Sequence, residues 1–159
     1  MRAALRVREL VHTLKLAAFV RTTGGKGLHV VVPLAETSGW AGVKATAAAI
    51  VREMAGAYPG EYVATMSKRA RKGRIFIDHF RNARGATAVA SYSTRARPGA
   101  PVAAPVAWPE LTGSFVPGRF TVETMPQRLA DLPEDPWKDF FELRRSISGA
   151  ALRALRVKP

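Results

Sequence analysis

Apolar side chains recur at helical spacing close to the start of the chain. Val7, Val11 and Leu14 fall on one stripe and predict an amphipathic helix over residues 3–16. A short apolar stretch, residues 17–20, leads into a glycine-rich turn, Thr22-Thr23-Gly24-Gly25-Lys26-Gly27. Residues 28–34 (LHVVVPL) are rich in β-branched side chains and bounded by Gly and Pro, the pattern of a buried strand. The longest helical pattern runs over residues 40–58, where Trp40, Val43, Ala47, Ile50, Val51 and Met54 share a stripe. Ser38 is a candidate N-cap for it, and Pro59-Gly60 a stop signal. Residues 62–65 and 73–78 read as short strands, the second carrying Asp78 at its end. Most of the prolines fall within residues 98–136, which predicts extended segments and turns with little helix. Helical spacing returns over residues 136–155, with a break at Ser148-Gly149. The order of elements predicts one α+β domain over residues 1–159, a mixed or antiparallel sheet flanked by helices.

Composition supports a globular chain. With 159 residues, 47% hydrophobic and 23% charged, it has a one-domain length and an ordinary make-up, which argues against a disordered tail, a collagen or a coiled coil. There is no cysteine, so disulfides, thiol chemistry and cysteine-bound zinc are excluded. His12, His29 and His79 show no metalloprotease spacing. No apolar run approaches the ~18–20 residues that cross a bilayer. The first residues (MRAALRVREL) show no secretory pattern, so a cytoplasmic, nucleoid-associated address is expected.

Charge changes the picture. Lys and Arg number 25 against 12 acids, a formal +13, which predicts a polyanionic partner. Within residues 67–97, nine bases (Lys68, Arg69, Arg71, Lys72, Arg74, Arg81, Arg84, Arg95 and Arg97) surround one acid, Asp78. Residues 98–142 are net acidic, and residues 143–159 carry only bases. Charge alone allows a solvated loop or a nucleic-acid patch.

Three positions could carry chemistry. The Thr23–Gly27 turn is not a Walker A loop, because Gly27 follows Lys26 and a strand follows the loop. Its glycines still allow close approach of the backbone to an anion, with Lys26 adding charge, although such a turn can be only a turn. His29, just beyond it, shares a strand face with Val31 and is either an ordinary strand residue or a second anion contact. Asp78 suits a hard divalent ion or an ion pair with a neighbouring base. There is no Asp-x-Asp pair to accompany it; the one tight acidic group, Glu134-Asp135 near Asp139 and Glu142, lies in the tail.

Taken together, three blocks resemble a known family. They are the Thr23-Gly24-Gly25-Lys26-Gly27-Leu28-His29-Val30 run, the Ile75-Phe76-Ile77-Asp78-His79-Phe80-Arg81-Asn82 run, and residues 90–102 (ASYSTRARPGAPV) with Trp108-Pro109-Glu110-Leu111. Arg128-Leu129 and Asp135-Pro136-Trp137 extend the match, which spans nearly the whole chain. The family is the polymerase/primase module of bacterial ATP-dependent DNA ligase D, within the archaeo-eukaryotic primase superfamily. The resemblance implies that Thr23 and His29 contact the triphosphate of an incoming nucleotide, with Lys26 in the same loop and His29 and Asp78 in the catalytic centre. It implies Asp78 as a metal-ligand carboxylate, and Arg81, Arg95 and Arg97 as neutralisers of nucleotide or nucleic-acid phosphates. Lys68, Arg69, Arg71, Lys72, Arg74 and Arg84 would then face DNA. Expected ligands are Mn²⁺ or Mg²⁺, a nucleoside triphosphate and DNA ends. Ku and ligase-domain proteins are the expected partners in non-homologous end joining, with no membrane role.

The family's Asp-x-Asp motif, which supplies two further metal carboxylates ahead of the first helix, has no counterpart in these residues. The expectation is therefore the C-terminal part of such a module, with little nucleotidyl transfer when isolated. Two alternatives stand beside it: a non-catalytic DNA-binding or end-bridging module, and one half of a split polymerase completed by a partner chain. The leading reading requires Thr23, His29 and Asp78 to converge on one polyphosphate pocket.

Overall fold

The computed structural model describes residues 1–37 and 39–157. The chain forms two compact units: Met1–Ala4, Ala17–Pro33 and Val89–Arg144 make the first, and Leu5–Leu16, Leu34–Ala88 and Arg145–Pro159 the second. Helix α1 (Arg2–Thr13) carries the predicted stripe, with Val11 buried and Leu14 buried just beyond its end. Lys15, at φ 61°, turns the chain out of the helix.

The first unit is built on an antiparallel sheet in the order β2–β1–β5, comprising β1 (Phe19–Thr22), β2 (Leu28–Val31) and β5 (Pro105–Val106). Its central strand is the stretch that hydropathy marked only as apolar. Period-two alternation explains the assignment: Val20 and Thr22 are fully buried, while Phe19 and Arg21 face the other side. Val20 joins Val102, Ala104, Val106, Leu111, Phe115, Phe120 and Met125 in one core, with Leu28 and Trp108 packed against it. The predicted buried strand over residues 28–34 is instead a four-residue, half-buried strand. It lies at the sheet edge, so half of its backbone has no ladder partner within the sheet.

The proline-rich region holds little α-helix, as expected: α3 (Met125–Asp131) spans seven residues, with Pro126 in its first turn, where a missing N–H costs no intrahelical bond. One further expectation needs correction here. Residues 136–147 form no helix. Trp137 and Phe140 stack at 5.0 Å and both pack against Phe19, at 5.7 and 5.3 Å, while Trp137 Nε1 donates to the Val20 carbonyl at 3.0 Å. The helix expected to run on to residue 155 is confined to α4 (Gly149–Ala154) in the second unit, where Ser148 Oγ caps it by accepting from Ala151 N at 3.0 Å.

In the second unit, α2 (Trp40–Ala57) packs on β3 (Tyr62–Val63), which pairs in parallel with β4 (Ile75–Phe76). Thr46, Ala49, Ile50, Val51 and Met54 form the buried face. Trp40 opens the helix and is 56% exposed, so the predicted stripe holds from the second turn onward. The N-cap residue is Gly39, without a side-chain cap; Ser38 lies outside the described residues. Arg6 ties the β3 entry together, donating to Tyr62 Oη at 2.8 Å and Glu61 Oε1 at 3.0 Å while its guanidinium lies 3.6 Å over the Tyr58 ring.

Thr22 is the buried polar link of the first unit. Its hydroxyl donates to the Val102 carbonyl at 3.0 Å and accepts from Ala104 N at 2.9 Å. Thr22→Val keeps the shape and leaves both partners buried and unpaired, so unfolding free energy should fall by about 1–3 kcal/mol in a denaturant titration. An unchanged midpoint would mean that the segment reaches its register without this bond.

Candidate functional site

The glycine loop closes the β1–β2 hairpin. Thr23 N donates to the Gly27 carbonyl at 3.2 Å and Thr23 Oγ1 to the same oxygen at 3.1 Å, continuing the ladder one step beyond β1. Gly24 sits at φ +63°, the left-handed region that favours glycine. A Cβ there would lie 2.5 Å from Arg95 Cγ and 3.0 Å from the Pro101 carbonyl oxygen, so the loop depends on glycine for space as well as conformation. Arg95 Nη1 donates to the Thr23 carbonyl at 3.2 Å. A Cβ on Gly25 would stand 3.2 Å from Arg97 Nη1. Two arginines are thus packed onto the loop from the 95–101 turn, and that turn is closed by Arg95 N donating to the Pro101 carbonyl at 2.9 Å.

A cleft of ≈ 420 Å³ opens beside the loop, lined by Gly24, Gly25, Lys26, Arg97 and the prolines 98, 101 and 117. Lys26 and Arg97 are exposed at its mouth. Strand register adds a second cluster: Arg21 pairs with His29 across the ladder, so both leave the same face of the sheet. Thr23, two residues after Arg21, has the same parity. The structure therefore gathers Thr23, Lys26, His29, Arg95 and Arg97 in the first unit, around one loop and one sheet face. Cations, backbone amides and glycines in this arrangement can take an anion.

The other predicted residues belong to the second unit. Asp78 follows β4 by two residues; Oδ1 accepts from Phe80 N at 3.0 Å and Oδ2 from Arg81 Nε at 3.2 Å. Arg81 Nη1 also donates to the Thr87 carbonyl at 3.2 Å. Arg71 lies 4.2 Å over the Phe76 ring and donates to the Met66 carbonyl at 2.7 Å, and Arg74 donates to the Pro59 carbonyl at 3.0 Å. These two cations brace the segment. Lys68, Arg69, Lys72 and Arg84 are exposed, with no carboxylate in ion-pair range among the described residues.

The family description "LigD, primase-polymerase domain" matches residues 1–137. The chain belongs to the LigD primase-polymerase family. A curated relative from Pseudomonas aeruginosa, the "Multifunctional non-homologous end joining protein LigD", is 44% identical over 92% of this chain and 18% of its own length. The LigD of Mycolicibacterium smegmatis is 39% identical over 66% of the chain and 14% of its own. Among solved structures, the "Polymerase Domain from Mycobacterium tuberculosis Ligase D in complex with DNA" superposes with a TM-score of 0.78 at 31% identity, over 89% of this chain and 50% of that one. The α+β architecture is thus that of a LigD polymerase domain. The chain spans less than a fifth of the P. aeruginosa and M. smegmatis proteins and half of the solved domain.

In this LigD-type chain, Arg21, Ser91 and the wall at residues 116–118 are site-proximal features that hydropathy does not single out. Recognising residues 19–22 as a strand would have exposed Arg21, because alternation pairs it with His29. Gly24→Ala should lower unfolding free energy by about 1 kcal/mol or more and displace Arg95 from the loop. Gly113→Ala, where a Cβ meets nothing within 4 Å, is the control in the same urea titration. Equal stability of the two variants would contradict the close packing of Arg95 on Gly24.

Proposed function

We propose that the chain is the phosphate- and DNA-binding part of a LigD-type primase–polymerase that processes DNA ends in non-homologous end joining. The observation that carries this reading is the glycine loop with Arg95 and Arg97 packed onto it and Thr23 and His29 on the adjoining sheet face. Thr23, Lys26, His29, Arg95 and Arg97 receive the triphosphate of an incoming nucleotide. Arginine suits this role because its planar fork donates two parallel hydrogen bonds to a phosphate, while Lys26 contributes a mobile point charge. Lys68, Arg69, Lys72 and Arg84 track the DNA backbone, with Arg71, Arg74 and Arg81 adding positive potential. The names of the relatives place them in end joining, and the solved relative is named as a complex with DNA. Ku and ligase-domain proteins are the proposed partners.

Metal chemistry fits these residues poorly. In phosphoryl transfer, divalent ions neutralise charge developing on the reacting phosphate, and a metal pair draws on several converging carboxylates. The motif-matched carboxylate here is Asp78, and both its oxygens are already engaged by Phe80 N and Arg81. Among the described residues, no three His, Asp or Glu side chains group closely enough to hold an ion. On the proposed reading, Asp78 is one member of a carboxylate set whose remainder comes from outside these residues, within a longer chain or from a partner. The 159-residue polypeptide then binds nucleotide and DNA without supporting efficient transfer.

Primer extension by the purified chain with Mn²⁺ and ribonucleotides should give no product above background, while a labelled nucleoside triphosphate is still retained. Robust extension would refute the incomplete-site reading. DNA binding should weaken steeply with salt, at a log–log slope of roughly −3 to −4 if the four exposed cations each contact a phosphate. Replacing Lys68 and Lys72 with Ala should reduce that slope by about 2. A salt-independent affinity would argue against phosphate contacts altogether.

A further inference from the structure

We infer that the Arg21 guanidinium is an additional anion-binding group of the Thr23–His29 face, whose counter-charge is the polyphosphate of a bound nucleotide. This rests on the reading that the glycine loop takes polyphosphate, and adds a residue that the motif resemblance does not assign. Two observations support it. Arg21 is half-buried, yet no carboxylate lies in ion-pair range of it among the described residues. Arg6 and Arg128, also half-buried, each have a carboxylate, Glu61 at 3.0 Å and Glu110 at 2.6 Å, whereas Arg71, Arg74 and Arg95 resemble Arg21 in having backbone carbonyls as their hydrogen-bond acceptors or other neutral partners. Arg21 has only neutral partners, donating from Nη1 to Ser91 Oγ at 3.0 Å with the Trp137 ring centroid 5.9 Å away, while its Nε is buried without an acceptor.

A partly desolvated charge without a counter-ion destabilises a fold, and burial accordingly lowers the affinity of this guanidinium for its proton. Arginine nonetheless keeps its charge, so the unmet demand is for an anion. The register narrows where that anion would sit. Arg21 is the cross-strand partner of His29, with side-chain roots about 4.5–5.5 Å apart, and it has the parity of Thr23. A phosphate chain reaching Thr23 and His29 would pass within reach of the Arg21 fork. The competing explanation is a purely structural one, in which Arg21 serves to tie Ser91 to β1.

Stability and affinity separate these explanations. Inorganic triphosphate and ATP are titrated into the wild-type chain, Arg21→Met, Arg21→Lys and Lys26→Ala by calorimetry at fixed low salt, and the unfolding midpoint of each unliganded protein is measured. Arg21→Met should weaken binding of both ligands by about tenfold or more, the scale of a charge-assisted hydrogen bond. Its unliganded midpoint should be unchanged or higher, because an apolar chain replaces an unpaired charge. Arg21→Lys should recover part of the affinity. Binding by Arg21→Met within twofold of wild type, with Lys26→Ala impaired, would overturn the role of Arg21 alone. A drop in its unliganded midpoint would overturn that role too, in favour of the structural tie to Ser91. Failure of the wild-type chain to bind triphosphate would overturn the underlying phosphate-site reading as well.

Discussion

The first unit depends on a single buried hydroxyl. Thr22 closes β1 against residues 102–104 through Val102 O and Ala104 N, and its own N–H donates to Ala104 O at 2.9 Å. Such a bond contributes modestly when made and costs more when broken, because the partner groups are out of reach of water. Its structural leverage is larger than its energy. The chain passes from residues 102–104 back through the 95–101 turn, so fixing Val102 fixes where Arg95 and Arg97 meet the glycine loop. Thr22 also holds the register: a one-residue slip of β1 would turn Arg21 into the core and Val20 out of it. The same contact that packs Val20 therefore presents Arg21, His29 and Thr23 on the opposite face.

Charge is handled in two ways along the chain. Where acids are plentiful, between residues 98 and 142, they do local structural work. Glu110 takes a two-pronged hydrogen bond from Arg128, at 2.6 and 2.8 Å, and its Oε1 also accepts from Ala107 N at 2.6 Å. Elsewhere bases outnumber acids, and several cations are braced by backbone carbonyls or aromatic rings. Arg71 and Arg74 are held this way, as is Arg95 at the Thr23 carbonyl. Such contacts orient a guanidinium without neutralising it, leaving its field available to an incoming anion. The +13 surplus is thus partly preorganised, and an oriented cation loses less entropy when it meets a phosphate.

Features encoded by contiguous residues were legible in the sequence, and features set by register were not. The α2 periodicity survives because one helix face packs on β3, although Trp40 shows that the stripe extends beyond the surface that covers it. The Thr23–His29 motif and the loop before it are readable because the hairpin brings sequence neighbours together. Residues 136–147 misled because Trp137, Phe140 and Phe141 have helical spacing. Trp137 and Phe140 instead pack on Phe19, more than a hundred positions earlier, and no periodicity analysis reports a partner that far away. The pairing of Arg21 with His29 is hidden for the same reason: it exists only in the register of β1 against β2.

On the proposed reading, holding a polyphosphate and activating it draw on different groups. Binding needs only donors and positive charge, and on that reading the hairpin and the 95–101 turn of the first unit supply both from short stretches of chain. Activation needs carboxylates brought together against their mutual repulsion, and that requires a metal pair to balance them. Asp78 shows the asymmetry. Alone among nine bases it needs no metal to offset its charge, because Arg81 and a backbone amide already satisfy it. Recruiting it as a ligand means drawing Oδ2 away from Arg81, an exposed pair whose mutual attraction is weak. That exchange becomes favourable only when further carboxylates arrive with the ion. On the proposed reading, a phosphate-binding surface can be complete in residues that supply only part of a metal centre.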